Sequence, residues 1–256
     1  MSNHLDQFDL TGRVAVITGA SEGIGHDLAL GLAGAGANIV VCSRREQKLK
    51  GVKREIEKVG RRAEFFTLDV QEIESIERLR TFILDRFGKV DVLVNNAGFA
   101  VTKPAWDTTE QEWDAMLDTG LKGIFFCCQI IGRIMRDQNY GKIINMSSTF
   151  SRSTAIGRSV YAAVKAGVSH LTEALAVEWA PVGIRVNALA PTAVNTPTRA
   201  KVLKGEVLKM VLKRIPLGRL ATSDDLLGAT IFLASSASDF VTGQTLFVDG
   251  GWTAAG

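Results

Sequence analysis

No apolar run in this chain approaches the roughly 20 residues that a bilayer crossing takes. The opening segment, 1–11, is polar and lacks the apolar core of a secretory signal. Cysteine is scarce. Cys42, Cys127 and Cys128 are odd in number, and the adjacent pair falls in an apolar helical pattern. Reduced core thiols and a cytoplasmic location are therefore expected rather than a disulfide framework. His4, His26 and His170 are scattered, and no Cys/His spacing suggests a metal site. Charge of either sign is not in excess: a formal net charge of +3, with no basic motif and no interleaved aromatics, gives no argument for nucleic acid. Linkers, low-complexity tracts and internal repeats are missing as well. What is left is 256 residues, 46% hydrophobic and 22% charged, which suits a globular α/β chain with a sizeable core.

Short β-branched runs mark buried strands at 13–18, 37–42, 63–68, 90–94, 142–146, 184–189 and 245–248. Helical patterns alternate with them at 26–35, 46–59, 73–87, 108–117, 124–135, 161–179 and 222–236. The first strand runs into Gly19, Ser21, Glu22, Gly23, Ile24 and Gly25 and then into a small-residue helix. Strand, glycine turn, helix is the context in which a backbone can approach a pyrophosphate, with free helix N–H groups facing the anion. After the second strand come Ser43, Arg44 and Arg45, with no acid. An acid there would hold a ribose 2′-OH, whereas an arginine accommodates a 2′-phosphate. The two arginines favour NADP(H); Glu22, in the glycine loop, argues the other way and leaves NAD(H) as the alternative.

Tyr161 and Lys165 are four residues apart, hence on one face if the stretch is helical. A free phenol, with a pKa of roughly 10, is a poor proton carrier at neutral pH. A neighbouring ammonium lowers that value, and the phenol then serves as a general acid or base. Ser148 could reach the same oxygen from the end of the fifth strand. Gly19, Asn96 and Ser148 each follow a predicted strand directly, so they converge on one sheet edge, where open α/β sheets bind ligands.

Taken in order, Thr18-Gly19-Ala20-Ser21-Glu22-Gly23-Ile24-Gly25, Asn95-Asn96-Ala97-Gly98, Ser148 and Tyr161/Lys165 resemble the short-chain dehydrogenase/reductase family, from about Leu10 to Trp252. The resemblance implies a single α/β domain over 1–256. It would be a doubly wound Rossmann fold with a mostly parallel seven-stranded sheet and helices on both faces. It also implies an NAD(P)-dependent oxidoreductase that interconverts a secondary alcohol and a ketone. Ser148 would polarise the substrate oxygen, Tyr161 would exchange the proton, and Lys165 would tune the tyrosine and bond the nicotinamide ribose. Asp69 and Val70 would meet the adenine. Asn96, Ala97 and Gly98 would lie against the cofactor, with Asn95 structural. Pro191, the backbone of Val194 and the hydroxyl of Thr196 would face the carboxamide.

The segment 149–160, with Arg152 and Arg158, should line the substrate pocket, and 196–219 should form a lid. That lid is basic, with Arg199, Lys201, Lys204, Lys209, Lys213 and Arg214 against Glu206. The apolar helices 124–135 and 161–179 suggest a homotetramer or homodimer. The substrate reads as a sugar, a sugar acid or another polar carbonyl compound. A 3-oxoacyl reductase is the alternative, although Asn139 and Val182 stand where such enzymes carry basic carrier-docking residues. A catalytically silent dinucleotide-binding sensor or scaffold is a further one. Two departures from the family stand out: Gly120 replaces an asparagine that kinks a helix and holds a water near the lysine, and Thr192 replaces a glycine. Gly120→Asn is expected to fold and keep activity.

Overall fold

The computed structural model describes residues 4–255, the side chains of Thr198, Lys201 and Val202 excepted. Its centre is a seven-stranded sheet in the order β3-β2-β1-β4-β5-β6-β7. The strands are β1 (Val14–Thr18), β2 (Asn38–Ser43), β3 (Ala63–Thr67), β4 (Val92–Asn95), β5 (Gly141–Met146), β6 (Ile184–Pro191) and β7 (Thr245–Val248). Every pairing is parallel, so the expected "mostly parallel" sheet is wholly so. Each crossover between neighbouring strands needs a covering element, which is why the strand sequences read as unbroken apolar runs. Strand order reverses between β1 and β4, and this opens a crevice at the carboxyl edge.

Helices α1 (Gly23–Gly34), α2 (Glu46–Lys58) and α9 (Ser223–Ala234) cover one face. Leu28, Leu32, Leu49, Ile56, Leu226 and Leu233 pack there on Ile17, Val41 and Val94. On the other face lie α3 (Ile73–Phe87), α5 (Gly123–Gln138) and α6 (Ser159–Trp179), where Ile76, Leu79, Ile131 and Val168 meet Val16, Val40 and Leu93. The period-two alternation of Val16 between Ala15 and Ile17 assigns each side chain to its core.

The helix before α5, α4 (Glu110–Leu117), starts two residues later than the sequence suggests. Thr109, not Thr108, is its cap, in a reciprocal bond with Glu112. Both Thr108/Gln111 and Thr109/Glu112 match a capping box, and the carboxylate wins. A single π-turn, Asp118–Lys122, joins α4 to α5. The joined run Glu110–Gln138 is 29 residues long, with a window of mean hydropathy 1.3, so by length and composition it could span a bilayer. Half of that window is buried inside the molecule, as in a core helix. The remaining helices, α7 (Pro197–Val202) and α8 (Gly205–Lys213), lie between β6 and α9.

Candidate active site

The fifth strand delivers Ser147 and Ser148 to the carboxyl edge. Ser148 is 7% exposed, and its Oγ accepts the Phe150 N–H at 3.2 Å, which fixes the side chain at the strand end. Ser147 Oγ donates to the Lys165 carbonyl at 3.2 Å and pairs with Ser169 Oγ at 2.8 Å, pinning α6 against β5. Tyr161 and Lys165 stand one turn apart on α6, with the ammonium 5.7 Å from the centre of the phenol ring. Lys165 Nζ donates to the Met146 carbonyl at 2.6 Å. Burial pushes Lys165 below the ordinary lysine value, and the charge of Tyr161 works against that shift. A Cβ placed on Gly98 would stand 4.0 Å from Lys165 Nζ, so the loop after β4 reaches the same point. Ser148, Tyr161, Lys165 and the stretch Asn96–Gly98 thus share one rim.

The loop after β1 fits a dinucleotide. Thr18 Oγ1 accepts the N–H groups of Asn96 and Ala97, each at 3.0 Å. Asn96 Nδ2 donates to the carbonyls of Thr18 and Gly19 at 3.1 and 3.2 Å. A Cβ on Gly25 would stand 2.4 Å from Asn96 Nδ2 and 2.6 Å from the Gly19 carbonyl oxygen, so only glycine allows this packing. At the start of α1, Glu22 makes no side-chain bond to the first helical amides. Those amides, from Gly23, Ile24 and Gly25, keep their capacity to bind an anion such as pyrophosphate. Asn95 points inward instead, donating to Asn145 Oδ1 at 2.9 Å, in keeping with a structural role.

Glu22 does not oppose a phosphate as its sequence position suggests. Arg45 binds its carboxylate at 2.8 Å and Lys48 binds it as well. Hydrogen bonds from Arg45, then Lys48, hold the Glu22 carboxyl down at about 2. Arg45 also donates to Ser21 Oγ at 2.8 Å, so it clips the glycine loop to α2. Arg44 remains 71% exposed, 3.9 Å from Asp69, at the end of β2. Val70 is buried beside it in sequence, and Gln71 donates to Thr119 of the π-turn at 2.7 Å. Beyond β6, Val194 bridges to Ala221, and Thr196 Oγ1 caps α7 by accepting the Arg199 N–H at 3.2 Å. Pro191 ends β6 at the same carboxyl edge.

A family model described as Enoyl-(Acyl carrier protein) reductase matches residues 19–253. A 2-dehydro-3-deoxy-D-gluconate 5-dehydrogenase of Bacillus subtilis (strain 168) is 40% identical over 248 residues, 96% of this chain and 97% of its own length. The chain belongs to the short-chain dehydrogenase/reductase family. Within that family, an NAD-dependent glycerol dehydrogenase of Listeria innocua is 37% identical over 246 residues, 96% of each chain. The crystal structure of a gluconate 5-dehydrogenase from Burkholderia cenocepacia J2315 in complex with NADP and tartrate is 42% identical, with a TM-score of 0.95. That match covers 99% of this chain and 100% of the other.

As a short-chain dehydrogenase the protein departs from the family's pattern at Gly120, and the structure shows what replaces the asparagine. The π-turn supplies the kink without it. The space is taken by Val164, whose Cγ1 would stand 2.7 Å from a Cβ on Gly120. Val164 is 3% exposed and immediately precedes Lys165. The expectation that Gly120→Asn is harmless therefore meets a stiff β-branched side chain that the sequence reading did not bring near. Thr192, the second departure, is buried just past β6.

On the substrate side, Phe150 stands edge-on to Tyr161, with centroids 6.1 Å apart, and edge-on to Trp252 at 6.3 Å. Trp252 Nε1 donates to Ser153 Oγ at 3.0 Å. Arg158 lies 6.0 Å over Phe150, and Arg214 lies 4.2 Å over Trp252. Burial, and then the charge of Arg199, hold Arg158 below the usual guanidinium value. Arg152 is placed differently. Its guanidinium sits 4.9 Å over Phe247 of β7 and lines a groove with Glu173, Val177 and Gln244. The structure thus separates the two arginines read as substrate contacts and brings Arg214, from the basic segment 196–219, onto the aromatic tier.

Proposed function

We propose that the protein is an NADP(H)-linked oxidoreductase that interconverts a secondary alcohol and a ketone on a polyhydroxy acid of the sugar-acid class. The observation that carries this reading is the meeting of Ser148, Tyr161 and Lys165 with the uncapped glycine-loop helix at one rim, beside Arg158 and Arg214, which have no acidic partner among the described residues. When bound, the nicotinamide supplies or accepts the hydride. Tyr161 delivers its phenolic proton to the developing alkoxide in reduction, or takes one from the alcohol in oxidation. Ser148 donates to the same oxygen and fixes its position. Lys165 places a positive charge against the phenolate, which lowers the energy of the deprotonated tyrosine. Arg44, 71% exposed and paired with Asp69 only at 3.9 Å, is the guanidinium available to a 2′-phosphate, since Arg45 is committed to Glu22 and Ser21.

Sugar-acid names among the relatives and the bound tartrate of the Burkholderia cenocepacia enzyme support the acid class. Exposed Trp113 and Val177 leave apolar surface on α4 and α6 for a homodimer or homotetramer. The test is NADPH absorbance with purified protein against D-gluconate, neutral polyols and a 3-oxoacyl thioester. Turnover of the acid above the neutral polyols supports the reading. Turnover of the thioester alone, or of nothing in a wide panel, sinks it.

A further inference from the structure

We propose that Ser147 is a positioning residue for Lys165. Its hydroxyl holds the backbone carbonyl of the lysine while the residue before it, Met146, holds the ammonium, so both ends of one side chain are tied to the end of β5. The inference rests on the mechanism proposed above, in which that ammonium faces the Tyr161 phenolate.

Met146 is buried in the core on the α1 side of the sheet, and its carbonyl accepts the Lys165 ammonium at 2.6 Å. Ser147 points the opposite way, as strand alternation requires, and its Oγ reaches α6. Its own N–H donates to the Leu189 carbonyl at 2.8 Å, so the sheet still fixes its backbone. A serine hydroxyl has one proton. In Ser147 that proton goes to the Lys165 carbonyl at 3.2 Å, so Ser169 donates the 2.8 Å bond between the two hydroxyls. The helix ladder already uses one lone pair of the Lys165 carbonyl. Without Ser147, the Ser169 hydroxyl can turn back on that same carbonyl, four residues before it. The bond from Ser147 is therefore not needed to satisfy α6. What it adds is a fixed place for Lys165 relative to β5.

That place matters because little else holds the lysine. Among the described residues its ammonium has one hydrogen-bond partner, the Met146 carbonyl. Gly120 offers no side chain, and Val164 fills the space beside it. An ammonium has three donors, so two are left for the phenol and for what binds there. A lysine tied at neither end would lose its rotamer freedom each time it closed on the phenol. With carbonyl and ammonium both tied, that freedom is lost once, on folding. The other charged groups around the pair are few. Residues 143–146 of β5 and the loops 96–98 and 147–150 carry no charged side chain. Lys142, at the far end of β5, is committed to Asp239 at 2.8 Å, and Asp118 and Lys122 of the π-turn pair at 3.1 Å. Arg158, the N-cap residue of α6, is the remaining cation.

The experiment follows NADP-linked oxidation of D-gluconate from about pH 6 to about pH 10. If wild type leaves gluconate unchanged, the fastest-oxidised polyol of the panel above takes its place. Wild type, Ser147→Ala, Ser147→Thr and Ser169→Ala are compared. In oxidation Tyr161 takes a proton, so the rate falls toward acid as the phenolate is lost. A lysine no longer fixed stabilises that phenolate less. Ser147→Ala should move the acid limb of kcat up by about 0.5–1 pH unit, a loss of about three- to tenfold below the limb that vanishes above it. Ser169→Ala leaves the bond from Ser147 to Lys165 in place and should keep the wild-type limb. Ser147→Thr keeps the hydroxyl and should hold the limb too, even where its added methyl lowers the melting temperature. An unmoved limb in folded Ser147→Ala, an equal loss at every pH, or an equal shift in Ser169→Ala or Ser147→Thr would overturn the positioning role and leave the mechanism standing. If wild type oxidises nothing in the panel, the proposed function falls and the role of Ser147 falls with it.

Discussion

Adding one methyl group at Gly120 should destabilise this protein, and removing two methyls from Val164 should reverse the sign of that effect. On helix propensity alone, Gly→Ala gains about 1 kcal/mol. Here the new Cβ would stand 2.7 Å from Val164 Cγ1, inside van der Waals contact, and both residues are buried. Overpacking of that kind costs about 1–3 kcal/mol. Gly120→Ala should therefore lose up to about 2 kcal/mol net, or about 2–4 °C in Tm per kcal/mol for a chain of this size. In a Val164→Ala background the obstruction is gone, and the same Gly120→Ala change should gain up to about 1 kcal/mol. Gly120→Asn should follow the same pattern with a larger loss in the wild-type background. The assay is a double-mutant cycle by thermal and urea unfolding at one protein concentration. Additivity within about 0.5 kcal/mol would refute the packing account. Turnover should track the cycle, because Val164 adjoins Lys165 and a displaced α6 loosens the bond from Lys165 to the Met146 carbonyl.

Two other perturbations read separate parts of the site. Arg44→Gln should weaken NADPH by about ten- to hundredfold in fluorescence titration and leave NADH within about twofold; NADH binding wild type as tightly as NADPH would overturn the 2′-phosphate assignment. His26 faces carboxylates with both ring nitrogens, Asp27 at 2.7 Å and Glu55 at 2.8 Å, an arrangement that the imidazolium alone satisfies. Burial disfavours that cation, but the bonds to Asp27 and Glu55 outweigh it and raise the His26 pKa above 6.5. The stabilisation is thus complete below about pH 6.5 and lost as pH rises through the higher folded value. His26→Gln should flatten the stability–pH curve from about 6.5 upward, and an unchanged slope would contradict the pairing.

The fold was legible because its signals are local. Seven strand-like runs, each but the last followed by a helical pattern, leave little choice but a parallel sheet, and the glycines after β1 point to an anion site by the same logic. The meeting of Ser148, Tyr161 and Lys165 at one rim was legible because Tyr161 and Lys165 share a helix face and Ser148 ends a strand. What stayed hidden depends on contacts between distant segments. Glu22 looked hostile to a phosphate until Arg45 and Lys48 were seen to bind it across the α1–α2 corner. Val164 filling the space at Gly120 joins two helices that no periodicity relates. Arg152 and Arg158, six residues apart in one polar loop, end on different rings because the 3-10 turn after Ser148 and the start of α6 aim them apart. Arg214 had only the basic composition of 196–219 to announce it, and a solvated helix face reads the same way.

The most direct measurement is the turnover of Tyr161→Phe alongside its NADPH affinity. Removing one oxygen from a ring that packs edge-on to Phe150 should leave the fold and NADPH binding intact. Without a phenolic proton to exchange, turnover should fall by about 10²–10⁴. A variant that binds NADPH and still turns over at the wild-type rate would show that the proton comes from elsewhere.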